Sequence, residues 1–522
     1  MTSRQFISAD YEATLEVQVR LGDLVGADHP ARFVVDLLKL VDFGAFRAHF
    51  GLKGGRPYDP VVLGGLLFYG YTRGLFSSRR LERATYEDVG YRYVAGNLHP
   101  DHDTLANFRK TFLPEISEVF VQVLVAAHVC GVSLLGPASA DGTKVHADAA
   151  KSTAGSYGRL GELEVELRAE VAALLAAAAA VDGPEEAARL QGEVQRREER
   201  LAQLARARGV LEQRAAERDA DEQAAYEAKL AERADRAART GKPPRGREPQ
   251  PPTPGPRPKD QYNFTDPDSR IMKESSSGGF EQSYNAQVVT DQASMLITGA
   301  RVSDHPNDTQ ELLPDLDAIP AVLGPPPAVA SDAGFFSVPN VDGCAARGID
   351  PYIATGREAH RLSLEEVLQG PSAGSPAGAG ATPRVQMAAK LQTPAGREIY
   401  RLRKCTVEPA IGIIKETMGF RQFSLRGLAN VQGEWILVCL AYNIKRLHSL
   451  LGGSVPAGVH AAQVAAAFAV SALAWVLALI PMRPQPAVHA PAETAYPGSS
   501  VALRLPAACV LELSPTGCYA VR

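Results

Sequence analysis

The chain has little that would staple or tether it. Six cysteines in 522 residues, none in a Cys-x-x-Cys pair or spaced with histidine, argue against a disulfide framework and a structural zinc site and fit a reducing compartment. An excess of positive charge is missing too. Lys and Arg number 55 against 59 Asp and Glu, a formal net charge of -4, so any polyanion must be met by local patches. The stretch MTSRQFISADYEATLEVQVR has no basic segment followed by an apolar run, and no secretory leader is expected there. One long apolar run exists, AAQVAAAFAVSALAWVLALIPM at 461–482. It is mostly alanine and lacks a basic flank on its N-terminal side, so no membrane span is expected. What the chain does have is length, which exceeds a single core and implies two to four domains.

Residues 28 to 135 read as all-helical. Apolar residues recur at three and four spacing in DHPARFVVDLLKLVDFGAFRAHF, and Asp59-Pro60 forms an N-cap and first-turn pair opening VVLGGLLFYGYTRG. A short turn at 74–76 leads to SSRRLERATYED, where Ser77 or Ser78 can cap a helix carrying Arg79, Arg80 and Arg83 near one face. Helix, turn and basic helix fit a helix-turn-helix set on DNA, or a bundle with a solvated basic stripe. In DHDT at 101–104 an acid reads as a helix cap rather than as a metal ligand.

From about 158 to 240 the composition turns to Ala, Glu, Arg and Leu. Leu160, Leu163, Leu167, Val171 and Leu174 make one stripe, and Leu190, Val194, Leu201, Leu204 and Leu211 another beyond the breaker VDGPEE, which predicts an antiparallel helical hairpin. GKPPRGREPQPPTPGPRPK then reads as a stiff, basic, extended linker. The segment from 155 to 259 therefore looks inserted into another domain.

Around it the pattern is strand-like. VSLLGPASADGTKVHA is an apolar run reaching Asp141, either a strand ending in an acid or an Asp-Gly turn. QSYNAQVVTDQ and MLITGARVSDH read as a hairpin, and DTQELLPDLDAI as an amphipathic helix. PPAVASDAGFFS follows as a buried strand delivering Asp332, whose alternative role is a helix cap. A helix near VPNVDGCAARG and a strand at PYIAT come next. In KCTVEPAIGIIKETMGFRQF, Pro409 suits a first helical turn, so a helix is expected to begin close to Glu408. Arg403 stands just upstream and Lys415 seven residues beyond, so cations flank the acid. VQGEWILVCLAYNIKRLHSLL makes a long amphipathic helix able to pack on the sheet.

The order is strand with Asp141, insertion, hairpin, helix, strand with Asp332, helix, strand, loop and helix with Glu408. It reads as α/β, a ribonuclease-H-like mixed-sheet catalytic core with an inserted helical hairpin, preceded by an all-helical N-terminal domain. The expected domains are 1–135, helical and DNA-binding; 136–154 with 260–452, the core; 155–259, hairpin and linker; and 453–522, an unassigned tail. Three carboxylates in that setting suit two Mg2+ ions, which take hard oxygen ligands and leave sites for water and phosphate.

The chain closely resembles bacterial insertion-sequence DDE transposases, of the family eleven-eighty-two type within the wider family-four and family-five group. The resemblance covers roughly residues 10 to 450. It rests on PARFVVDLL, GRPYDPVVLGGLLFYGYTRGLFSSRRLERATYEDVGYRYVAG, PDHDTLANFRKTF, SADGTKVHADA, NFTDPDSRIMK, GFEQSYNAQVV, ASDAGFFS, PYIATGR and YRLRKCTVEPAIGIIKETMGFRQFSLRG. It implies that Asp141, Asp332 and Glu408 are the metal-binding DDE triad. Tyr400, Arg403, Glu408 and Lys415 are similar to a Tyr-Arg-Glu-Lys signature. Arg403 precedes Glu408 by five residues where four is common, so Arg403 or Lys404 fills that part. The implied activity is metal-dependent cleavage at insertion-sequence ends and strand transfer, with two Mg2+ for which Mn2+ can substitute. The implied partners are double-stranded DNA, as terminal inverted repeats and target, and further copies of the chain in a homodimer or larger synaptic oligomer. The implied location is the bacterial cytoplasm, at the nucleoid. The rivals are a catalytically inactive DNA-binding descendant and a metal-dependent nuclease or phosphatase with another substrate.

Overall fold

The computed structural model describes residues 18–467 and 469, apart from 52–54, 135, 182, 242–245, 274–277 and 357–380. Seven helices come first: α1 (Pro30–Leu38), α2 (Gly44–Ala48), α3 (Pro60–Thr72), α4 (Ser78–Glu87), α5 (Val89–Val94), α6 (His102–Thr111) and α7 (Leu113–Val129). Their starts are set by local chemistry. The Asp59 carboxylate accepts from the Val61 N–H with Pro60 in the first turn, and Asp101 accepts from the Thr104 N–H, so the acid of DHDT is a cap. Ser77 occupies the cap position of α4 but makes no side-chain cap bond, contrary to expectation. Apolar on all sides, α3 is buried from Leu63 to Thr72 and forms the centre of this layer.

The sheet is built from β1 (Ala138–His146), β4 (Arg270–Lys273), β5 (Phe280–Asp291), β6 (Ile297–Ser303), β7 (Ala328–Ser331) and β8 (Asp350–Ile353). Its path runs β6-β5-β1-β7-β8, and β4 pairs with the first residues of β5. β1 is antiparallel to β5 and parallel to β7, and β7 is parallel to β8, so the sheet is mixed. β1 outlasts β7: they pair only at Ala138 with Val329 and Ser139 with Ala330. Asp141 therefore lies in the interior of a nine-residue strand, neither at a strand end nor in an Asp-Gly turn. The reason is the partner strand, which pairs Asp141 with Val288 and continues to Ser283.

A short ribbon, β2 (Ala154–Ser156) with β3 (Gln261–Asn263), closes the base of the insertion, a pairing that the sequence did not announce. From it rise α8 (Tyr157–Ala179) and α9 (Pro184–Thr240). Contacts of Tyr157 with Glu212, Glu164 with Arg208 and Glu170 with Arg197 make them antiparallel. At 57 residues α9 extends roughly 85 Å and far outruns α8. The described part of the Pro-rich return, 246–259, is tied along α9 by Arg218 to the Gly255 carbonyl and the following Asp260, and by Glu222 to Arg257.

On one face of the sheet lie α10 (Leu312–Asp317) and α11 (Val338–Ala346). At the β8 side stands α12 (Pro383–Leu391), and α13 (Pro394–Gly412) runs from there across β7 and β1. The long helix α14 (Leu428–Leu450) packs on β6 and equally on α3 and α7. One hydrophobic core thus runs from the N-terminal helices through α14 to the sheet. Residues 461–467 are helical and Val464 joins this core, whereas most of the apolar run 461–482 lies outside the described residues. Among the described residues, no single helix is long and apolar enough to cross a membrane.

β6 is an edge strand, and α14 covers its open side. Asn443 Oδ1 accepts from the Ile297 N–H and its Nδ2 donates to the Ile297 carbonyl, while Gln432 does the same for Val302 and Ala300. Changing Asn443, which is fully buried, to Ala leaves a buried N–H and C=O unpaired and is expected to destabilise the fold by about 2–4 kcal/mol, measured by denaturant unfolding.

Candidate active site

The acids meet where β1 outruns β7. Asp141 projects from β1 toward α13, on the face that carries Ser139, whose hydroxyl meets the Thr406 hydroxyl at 3.0 Å. Asp332 follows the last residue of β7 and its Oδ1 accepts from the Gly334 N–H at 2.8 Å, so it is both an acid at a strand end and a cap. Glu408 is carried by α13.

That helix begins at Thr393-Pro394, where the Thr hydroxyl accepts from the Gly396 N–H, and not near Glu408. Pro409 is an interior proline close to the helix's C-terminal end. It cannot donate to the carbonyl one turn back, and the chain passes at Ile413–Thr417 into a π-helical turn that carries Lys415. Lys415 is engaged by β1. Its Nζ donates to the Lys144 carbonyl on β1 at 2.7 Å.

Arg403 ties the acids together. Its Nη1 donates to Asp141 Oδ2 at 3.2 Å and its Nη2 to Glu408 Oε1 at 2.9 Å, from a side chain only 8 % exposed. Burial works against its charge, yet Asp141, Tyr400 and Glu408 outweigh burial and raise its pKa. Lys404, the other candidate for this role, is exposed on α13. Burial pushes the Asp141 carboxyl up to about 7; Arg403 opposes the shift while Asp332 and Asp308 add to it. Glu408 is half-exposed.

Asp308 went unnoticed in the sequence. Its Oδ1 accepts from Asn285 Nδ2 and Gln287 Nε2, each at 2.7 Å. The available signal was YNAQVV, which places two polar side chains, Asn285 and Gln287, on one face in the middle of a buried strand. The site thus holds more negative charge than Arg403 neutralises, and all its acceptors are hard oxygens, a donor set that fits Mg2+ or Mn2+. Among the described residues, no three His, Cys, Asp or Glu side chains already surround one point. Arg79, Arg80 and Arg83 stand on the solvent face of α4, which packs on α3, α5 and α6, and Arg83 pairs with Glu87 at 2.7 Å.

Residues 252–444 match the family described as Transposase DDE domain, and residues 19–111 match a Transposase domain family (DUF772). Asp332 and Glu408 fall inside the first match and the three arginines of α4 inside the second. Asp141 lies between the two. Comparison with curated proteins and with solved structures gives no match.

A carboxyl whose folded pKa lies above its unfolded value binds its proton preferentially in the folded state. Its contribution to stability is complete below 3.8 and is lost as pH rises toward 7. In metal-free protein, raising pH from 5 to 8 is therefore expected to destabilise the native chain by about 1–3 kcal/mol more than the Asp141→Asn variant. Denaturant unfolding at the two pH values checks the difference, in which the parallel effect of Asp315, raised to about 8 mainly by burial, cancels.

Proposed function

The chain belongs to the insertion-sequence DDE transposases, enzymes that cleave and transfer DNA strands, and we propose that Asp141, Asp332 and Glu408 are the metal-binding triad through which it does so. The observation that carries this reading is the Arg403 bridge, which draws an acid of β1 and an acid of α13 together beside the carboxyl end of β7. A ribonuclease-H-like core is supported by the strand path β6-β5-β1-β7-β8, three antiparallel strands followed by two parallel ones. The family eleven-eighty-two type rests on the motifs of the sequence. Residues 136–154 and 260–452 form the core of this reading, 1–135 the DNA-binding region and 155–259 the insertion.

The reaction is attack of a water oxygen on a phosphodiester at the element's end, with departure of the 3′ oxygen. Attack of that 3′-hydroxyl on a target phosphodiester follows. Asp141, Asp332 and Glu408 would hold two divalent ions, Mg2+ or Mn2+, which when bound would supply charge neutralisation at the scissile phosphate. Asp141 and Asp332 fix their positions through β1 and the Gly334 N–H, and Arg403 orients Asp141 and Glu408. Lys415, anchored to β1, stands as a phosphate-side cation. Arg397, Arg401 and Lys404 occupy the same stripe of α13 as Glu408 at spacings of four, three and four, beside a groove of about 620 Å³, and lead a DNA backbone to that acid. In this reading α3, its turn and α4 form the helix-turn-helix, the partners are terminal inverted repeats and target DNA bound by a homodimer or larger synaptic oligomer, and the enzyme works on the bacterial nucleoid.

Asp141→Asn, Asp332→Asn and Glu408→Gln are each expected to abolish Mg2+- or Mn2+-dependent nicking of end-containing DNA while leaving DNA binding intact. A double variant is expected to be little worse than either single one, because the acids act as a unit. Lys415→Ala is expected to be milder. Near-normal nicking by any one acid variant removes that residue from the site.

Replacing Arg79, Arg80 and Arg83 by Ala is expected to weaken binding to terminal DNA and to reduce the salt slope by roughly one unit for each phosphate that α4 no longer neutralises. Filter binding across a salt series measures both, and an unchanged slope returns α4 to a solvated bundle surface.

A further inference from the structure

Asp308 follows β6 in a loop and belongs to none of the motifs on which the family reading rests. Its two clamps are unusual in what they give up. Asn285 and Gln287 are both 0 % exposed, and each turns its NH2 to Asp308 while its own carbonyl oxygen is buried without a partner. A buried carbonyl left unpaired is destabilising, so the orientation of both amides is imposed by the carboxylate. Lys144, whose Cα pairs with that of Asn285 across the strands, also buries its Nζ without a hydrogen bond.

The backbone is shaped around the same point. A Cβ on Gly142, the residue after Asp141, would meet Gln287 Nε2 first and would lie 2.7 Å from Gln287 Oε1 and 2.8 Å from Asp308 Oδ1. Glycine there leaves room on β1 for the Gln287 amide and the carboxylate it holds. On its other side Asp308 Oδ2 lies 3.7 Å from the Cβ position of Gly334, the residue whose N–H holds Asp332. Asp308 thus sits between the Asp141–Gly142 step of β1 and the Asp332–Gly334 turn, pinned by one oxygen with the other beside that turn.

We propose that Asp308 is a fourth carboxylate of the acid site, clamped by Asn285 and Gln287 so that its charge and its second oxygen help to bind the divalent cation between Asp141 and Asp332. The inference rests on the reading of those two acids as cation ligands. A purely structural anchor would need no ionised group here, and pairing two amides with it at the expense of both their oxygens lowers stability in order to keep a negative charge in place.

The test is Mn2+ binding to metal-free, full-length protein without DNA, followed by the electron paramagnetic resonance signal of free Mn2+, together with thermal unfolding. Asp308→Asn preserves shape and an acceptor oxygen for both amides but removes the charge. It is expected to weaken Mn2+ binding roughly tenfold or more, with the metal-free unfolding midpoint unchanged or raised. Unchanged Mn2+ affinity overturns the proposal, as does a lowered midpoint with unchanged affinity, the mark of a structural anchor. Gln287→Leu, which removes one clamp and keeps the acid, is expected to weaken Mn2+ binding by a smaller factor, and it decides the matter if Asp308→Asn does not fold. Asp141→Asn is the control. If it too leaves Mn2+ affinity unchanged, the cation-binding reading of the whole site has failed; if it weakens binding and Asp308→Asn does not, only the role of Asp308 has.

Discussion

Burial of α14 on every side is the constraint on which the other layers depend. Trp435, fully buried, donates its indole N–H to the Gln287 carbonyl of β5 at 3.0 Å, and Gly433 brings the opposite face of the helix against Leu113 of α7. A helix flanked by solvent could satisfy one partner; this one must fit a sheet and a helical layer at once. Its polar side chains are accordingly spent on backbone. Asn443 and Gln432 complete the open edge of β6, and Glu434 accepts from the N–H groups of Ser424 and Leu425. The edge that would otherwise invite another strand is closed by side chains rather than by a further strand.

The same packing joins the turn between α3 and α4 to the end of the π-helical turn. Gly74 adopts φ +73°, and a Cβ there would lie 2.5 Å from the Met418 carbonyl, while Phe76 meets Phe420 edge-on at 5.2 Å. Arg109 of α6 fixes the turn by donating to the Phe76 carbonyl and the Tyr71 hydroxyl. The turn between α3 and α4 and the stretch three residues beyond Lys415 are thereby packed as one unit.

At the acids, the balance of charge explains the local geometry. Arg403 is held by two carboxylates and buried, so its place is over-determined, whereas Glu408 is half-exposed and among the described residues is held by Arg403. The buried partner and the half-exposed one lie on a single helix, and Pro409 separates Glu408 from the π turn beyond. Such an arrangement sets Asp141 and Asp332 in and directly after strands of the sheet while leaving the third acid, Glu408, half-exposed on a helix.

Local chemistry in the sequence was sufficient for the helical N-terminal layer, the Asp59 and Asp101 caps, the inserted hairpin with its stripes and the strand carrying Asp332, because each depends on spacing or on groups within a few residues. Motifs quoted from the chain were sufficient for the family. Tertiary structure decided what depended on distant partners. Whether Asp141-Gly142 turns or runs on was settled by β5, which pairs through that position. Where α13 starts was settled by Thr393-Pro394 and by β1, against the local preference of Pro409 for a first turn. Asp308 could not be seen at all from its neighbours in the chain, since its partners lie 21 and 23 residues away on β5 and its meaning comes from a missing Cβ on β1.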